Sequence, residues 1–172
     1  MPNNNIIDKR NSNIQIYING SFYLRDDAKI SVFDSGFLLG DGIWEGIRLV
    51  KNEWLFIDEH IDRLFEGCLA VDITLDLSRD EIKEAILETQ KINNMTDSAH
   101  ARVMITRGDK IKPFQQPSLS TSGINFIIIM EHSSESPNSN GIKLVTVPQV
   151  RGLPMSQAVS YTHLRAHETS EN

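Results

Sequence analysis

From Ile14 to Ile18 the chain alternates apolar and polar positions in the period of a half-buried strand. Asn19-Gly20 is the dipeptide that turns such a strand tightly into a second one, Ser21–Leu24. Alternation returns at Ile43–Val50, with Ile43, Glu45, Ile47 and Leu49 on one side and Trp44, Gly46, Arg48 and Val50 on the other. Lys51-Asn-Glu53 is expected to turn this strand back into Trp54–Ile57. The period then becomes helical. Ile57, Ile61, Leu64, Phe65, Cys68 and Leu69 line one stripe, with Asp58 as the expected N-cap. Ser78-Arg-Asp-Glu81 reads as a capping box for a second helix that turns Ile82, Ile86 and Thr89 inward and ends at Asn93-Asn94. Three more strands are expected at Ala99–Thr106, Ile124–Met130 and Ile142–Val147, separated by Pro- and Ser-rich loops. Hairpins, two helices and strands again make an α+β pattern, with a mainly antiparallel sheet and both helices on one face.

The expected organisation is a polar leader at 1–13, a small domain at 14–132, a linker at 133–140 and the start of a second, truncated domain at 141–158. Residues 159–172 carry neither period. Val159-Ser-Tyr-Thr-His-Leu-Arg-Ala-His-Glu-Thr169 resembles the peptide encoded by translated sequencing-adapter DNA, so these residues are expected to be a non-native tail.

Composition narrows the function classes. The net charge of -6 is spread without a basic stripe, which removes the electrostatic footprint of a nucleic-acid binder and favours a small-molecule or protein partner. The N-terminus lacks the apolar core of a signal peptide, and the longest apolar run, Ile124–Met130, is too short to span a bilayer. A cytoplasmic protein without membrane contact is expected. The single cysteine, Cys68, agrees with a reducing compartment and, on the apolar stripe of its helix, reads as an inert buried thiol. The five histidines form no ligand set, so no metal site is expected. Gly36, Gly40, Gly42 and Gly46 match neither a dinucleotide fingerprint nor a P-loop, and alone suggest bulges and turns. Arg63, four residues after Glu59 on a helix, would alone be a surface ion pair. Along Ala99–Thr106, His100, Arg102, Met104 and Thr106 share a face that meets either solvent or a site.

Two segments change this weighting. Asp34-Ser-Gly-Phe-Leu-Leu-Gly-Asp-Gly-Ile-Trp-Glu-Gly-Ile-Arg48 and Glu59-His-Ile-Asp-Arg-Leu64 resemble the N-terminal signature of the fold type IV pyridoxal-phosphate enzymes, which include branched-chain and D-amino-acid aminotransferases and aminodeoxychorismate lyases. The resemblance runs from about Ile14 to Gln157, roughly half of a complete family member. It implies pyridoxal 5'-phosphate as cofactor, with Arg63 on its phosphate, a role suited to a planar fork of donors facing a dianion. It implies Trp44 as an apolar pocket wall, Gly46 as the clearance beside it, and Arg102 as the partner of the distal carboxylate of glutamate. Leu39 stands where branched-chain enzymes often have a tyrosine. The Arg-x-His pair of D-amino-acid enzymes is replaced by Lys112 and Phe114, against a D-specific reading. The preferred expectation is the N-terminal half of an aminotransferase that exchanges an amino group between an apolar, branched-chain amino acid and 2-oxoglutarate and is a homodimer when intact. An aminodeoxychorismate lyase, a D-amino-acid aminotransferase and a non-catalytic binding domain are the alternatives. None of the eight lysines follows Arg151-Gly-Leu-Pro154, where the Schiff-base lysine is expected, so no catalytic residue is assigned and the chain as printed is expected to be inactive.

Overall fold

A computed structural model of the chain describes residues 8–133 and 145–146. Six strands form one sheet in the order β2-β1-β6-β5-β3-β4, and every pairing in it is antiparallel. They are β1 (Gln15–Ile18), β2 (Ser21–Leu24), β3 (Gly42–Val50), β4 (Glu53–Trp54), β5 (Ala99–Thr106) and β6 (Asn125–His132). The first hairpin forms at Asn19-Gly20, where both residues take the positive φ that such a turn requires. The chain thus has the α+β class with a mainly antiparallel sheet expected from its pattern.

Helices α2 (Ile57–Ala70) and α3 (Arg79–Ile92) pack on one face of the sheet. Ile61, Leu64 and Cys68 of α2 and Ile82, Ala85 and Ile86 of α3 meet Ile43, Ile47, Val103, Ile105, Ile128 and Met130 in the main core. Ser78 and Glu81 form the reciprocal capping box at the start of α3, and Thr89 is buried, its hydroxyl bonded back to Ala85 O.

Three local expectations change. The return strand after β3 is only two residues long, because α2 begins at Ile57. Its N-cap is Phe56, in the left-handed region at φ 54°, rather than Asp58, which lies in the first turn and pairs with Lys83 of α3. Gly36 belongs to a short helix, α1 (Ser35–Leu39), that alternation alone did not reveal. Asp34 caps it and Gly40 ends it at φ 68°.

At the start of the described chain, residues assigned to the polar leader form a 3-10 turn, Lys9–Asn13, in which Asn11 is buried. Its side chain donates to His132 O at 2.9 Å and accepts from His132 N at 2.7 Å, which ties this end of the chain to the end of β6. Most of the expected linker, of the expected strand at 142–147 and of the start of the second domain lie outside the described residues, as does the whole tail.

Candidate functional site

Strand β3 carries the site. Its pleat sends Ile43, Glu45, Ile47 and Leu49 toward the helices and Trp44, Gly46 and Arg48 toward the uncovered face. Glu45 is the anomaly of the apolar side, a carboxylate 1% exposed among isoleucines. Such a charge is stable only when its oxygens are fully engaged. Arg63 of α2 supplies a two-pronged pair, Nε to Oε1 at 2.7 Å and Nη2 to Oε2 at 2.5 Å. His60, one turn earlier, places Nδ1 2.8 Å from Oε2. A carboxylate there only accepts, so this contact is a hydrogen bond in the tautomer that carries its proton on Nδ1. The ionic partner of Arg63 is therefore Glu45, not the Glu59 that helical spacing suggested. Glu45 raises the Arg63 pKa above its ordinary value, opposed by partial burial.

Trp44, Gly46 and Arg102 meet on the uncovered face. Gly46 and Arg102 are register partners across β3 and β5, and the Arg102 guanidinium lies over the Trp44 ring, 4.3 Å from its centroid. This cation–π contact holds Arg102 over the wall that Trp44 makes. His100 lies opposite Arg48 on β3 and Glu131 on β6. Its imidazole fills the space above Gly46, where an added Cβ would sit 2.9 Å from Nε2. The clearance expected at Gly46 is thus occupied by His100. Burial first, then the charges of Arg102 and Arg48, push the His100 pKa below its usual value, with Glu131 opposing.

Leu39 is carried by α1, half-buried and joined to β3 through Gly40 and Asp41. Asp34 anchors this segment. It is fully buried, accepts Phe37 N at 3.0 Å, Thr106 Oγ1 at 2.5 Å and Asn125 Nδ2 at 2.8 Å, and so pins α1 to the ends of β5 and β6. Arg107, just past β5, spans Asp41 and the carbonyls of Val71 and Asp72 at the C-terminus of α2, joining the same loop to that helix.

The candidate residues form two groups. Trp44, Gly46 and Arg102 lie on the uncovered face, while Arg63 lies on the helix side of the same strand. What relates them is the strand's edge. Strand β4 pairs only with Leu49 and Val50, so among the described strands Gly42–Ile47 of β3 have a neighbour on one side only, β5. A ligand along that edge has Arg63 on one flank and Trp44 on the other. Glu45 and His60 were not singled out as site residues from the sequence. The available signal was a lone acid on an otherwise apolar strand face. Among the described residues no group of His, Cys, Asp or Glu can hold a metal ion. No helix among them is long and apolar enough to cross a membrane.

The sequence profile of the family described as Amino-transferase class IV matches residues 42–166, which include β3, α2 and β5. The chain belongs to this family. Among its relatives, branched-chain-amino-acid aminotransferase-like protein 1 of Arabidopsis thaliana is 35% identical over 145 residues, 84% of this chain and 26% of that protein. A putative branched-chain-amino-acid aminotransferase of Methanocaldococcus jannaschii is 43% identical over 95 residues, 55% of this chain and 33% of that protein. A D-alanine aminotransferase of Listeria monocytogenes is 30% identical over 95 residues, 55% of this chain and 32% of that protein. The fold is that of the Escherichia coli branched-chain amino acid aminotransferase, with a TM-score of 0.74 at 23% identity over 88% of this chain and 52% of that one. The class IV chain thus spans between about a quarter and a half of the proteins it matches.

Proposed function

We propose that this chain is the N-terminal part of a pyridoxal-phosphate-dependent aminotransferase that moves an amino group between an apolar, branched-chain amino acid and 2-oxoglutarate. The observation that carries the reading is the open edge of β3, flanked by a pre-aimed arginine on one side and an aromatic wall with its own arginine on the other. Branched-chain aminotransferases among the relatives support it.

The residues suit the cofactor. Arg63 keeps Nη1 outside its contacts with Glu45 and His60, and its side chain is 37% exposed, so a phosphate monoester can reach it. When bound, pyridoxal 5'-phosphate supplies the electron sink that makes the substrate Cα acidic. Arg63 holds the phosphate, Trp44 and Leu39 form the apolar wall for the substrate side chain, and Arg102, steadied on Trp44, meets the distal carboxylate of glutamate. The amine that links to the cofactor and moves the substrate proton is none of this chain's lysines, and we place it in the second domain. Covalent attachment needs an amine fixed in a dry pocket. Among the described lysines the one buried is Lys110, whose Nζ is bonded to Gln116 O.

We infer a cytoplasmic homodimer. Exposed apolar residues around α1 (Val32, Phe33, Phe37) and in the loop after β5 (Ile111, Phe114) support an interface, since the Asp34–Asp109 bridge joins the two segments.

A screen of amino donors against 2-oxoglutarate, in the full-length protein carrying this chain, tests the assignment. Leucine, isoleucine or valine should give the highest kcat/KM. D-Alanine ahead of every branched-chain L-amino acid would remove the reading, and pyruvate released from aminodeoxychorismate would replace it with a lyase. Arg63→Ala should weaken cofactor binding by about 1.5 to 3 kcal/mol, the range for hydrogen bonds to charged groups. In the 172-residue chain alone, borohydride reduction and peptide mapping should find no stoichiometric pyridoxyl-lysine.

A further inference from the structure

The geometry points to Glu45 as the positioning residue for the phosphate-binding arginine, with His60 as its second clasp. This inference rests on the phosphate role proposed above for Arg63. A free arginine on a helix surface samples many rotamers, and ordering it costs part of whatever binding it provides. Here that ordering is already built in. Glu45 is 1% exposed and projects from the middle of β3 into the packed core, so its oxygens have little freedom to move. The two-pronged pair fixes the plane and direction of the Arg63 guanidinium, and His60 Nδ1 closes the remaining side of Oε2. The edge that carries Nη1 is the one left to point away from the core.

Glu45 has an opposing influence as well, because its negative charge lies beside the cation that should attract phosphate. Charge alone predicts that removing it strengthens anion binding. Positioning predicts the reverse, since a guanidinium released from its clasp loses its aim and leaves a binding site to be reassembled each time. The sign of the effect decides between them.

The test compares pyridoxamine 5'-phosphate with pyridoxamine. Neither needs a covalent link, and they differ only in the phosphate. Both are titrated by ligand fluorescence into the full-length protein and its E45Q, E45D, R63A and E45Q/R63A variants, with far-UV circular dichroism and melting curves as fold controls. E45Q removes the charge, whereas E45D keeps it and withdraws the oxygens by one methylene. If E45Q does not fold, E45D carries the comparison. Both should weaken pyridoxamine 5'-phosphate about tenfold, the size of one lost charge-assisted hydrogen bond, and leave pyridoxamine unchanged. R63A should erase the preference for the phosphorylated ligand, and E45Q/R63A should add nothing to it. If R63A shifts the preference while E45Q tightens phosphate binding or E45D leaves it intact, the positioning role is overturned and the phosphate role stands. If R63A leaves the preference untouched, both fall.

Discussion

Replacing Asp34 by alanine should loosen the segment that leads into the site while leaving the main core standing. Asp34 is fully buried and contributes three acceptor contacts, so the cost can be assembled from what each donor does afterwards. Phe37 N loses its cap, worth about 1 kcal/mol for such substitutions. The Thr106 hydroxyl, 4% exposed, loses a partner that no water easily replaces, at about 1 to 3 kcal/mol. Asn125 is only half-buried and its Nδ2 already has Asp109 Oδ1 within reach at 3.3 Å, so this donor re-pairs at little cost. The sum is about 2 to 4 kcal/mol. Urea unfolding should show this as a lower midpoint at unchanged slope. Hydrogen exchange should accelerate at the Phe37 and Leu38 amides well before those of β5. A D34A protein within about 0.5 kcal/mol of the parent, the scatter of an ordinary surface change, would refute this accounting.

Ser78→Ala should cost about 1 kcal/mol in the same unfolding assay, through loss of the capping box at α3. Burial pushes the Cys68 thiol up to about 12, so native protein at pH 8 should resist a disulfide reagent that titrates one thiol per chain after unfolding. For His100 the folded pKa lies below the unfolded one. The unfolded chain therefore binds more protons in that interval, and the stability from a neutral imidazole is present above the unfolded value, about 6.5, and lost as pH falls toward the folded one. An NMR titration of the ring should place it low, and Arg102→Met should move it back up.

Much of the fold was legible because it rests on local rules. The Asn-Gly hairpin, the β3 alternation, the Ser78 capping box and the stripe Ile61, Leu64, Cys68 each depend on residues a few positions apart. The start of α2 was misplaced because Phe56 accepts a left-handed backbone that no side-chain preference announces, and Asp58 offered a more conventional cap. Helix α1 was hidden because it is held by Thr106 and Asn125, far along the chain. The site divided the same way. Trp44, Gly46 and Arg102 were correctly assigned to strand faces by parity, but that Arg102 lies over Trp44 depends on the β3–β5 register. The partner of Arg63 was misjudged because helical spacing sees Glu59 four residues away and cannot see a carboxylate on the strand beneath.

The side of β3 that no described strand covers over Gly42–Ile47 has a consequence for how the chain behaves in solution. An unpaired strand edge is a template, and an isolated chain that presents one invites stacking into insoluble assemblies. Glu45, an acid pointing inward from the middle of that stretch, works against this, because a one-residue slip of β3 against β5 would pull the carboxylate from its clasp and drive it onto the uncovered face, so the strand is held in one register. Salt that weakens the clasp should therefore promote turbidity before it melts the core. The same carboxylate that aims an arginine would then also guard the shelf life of the domain.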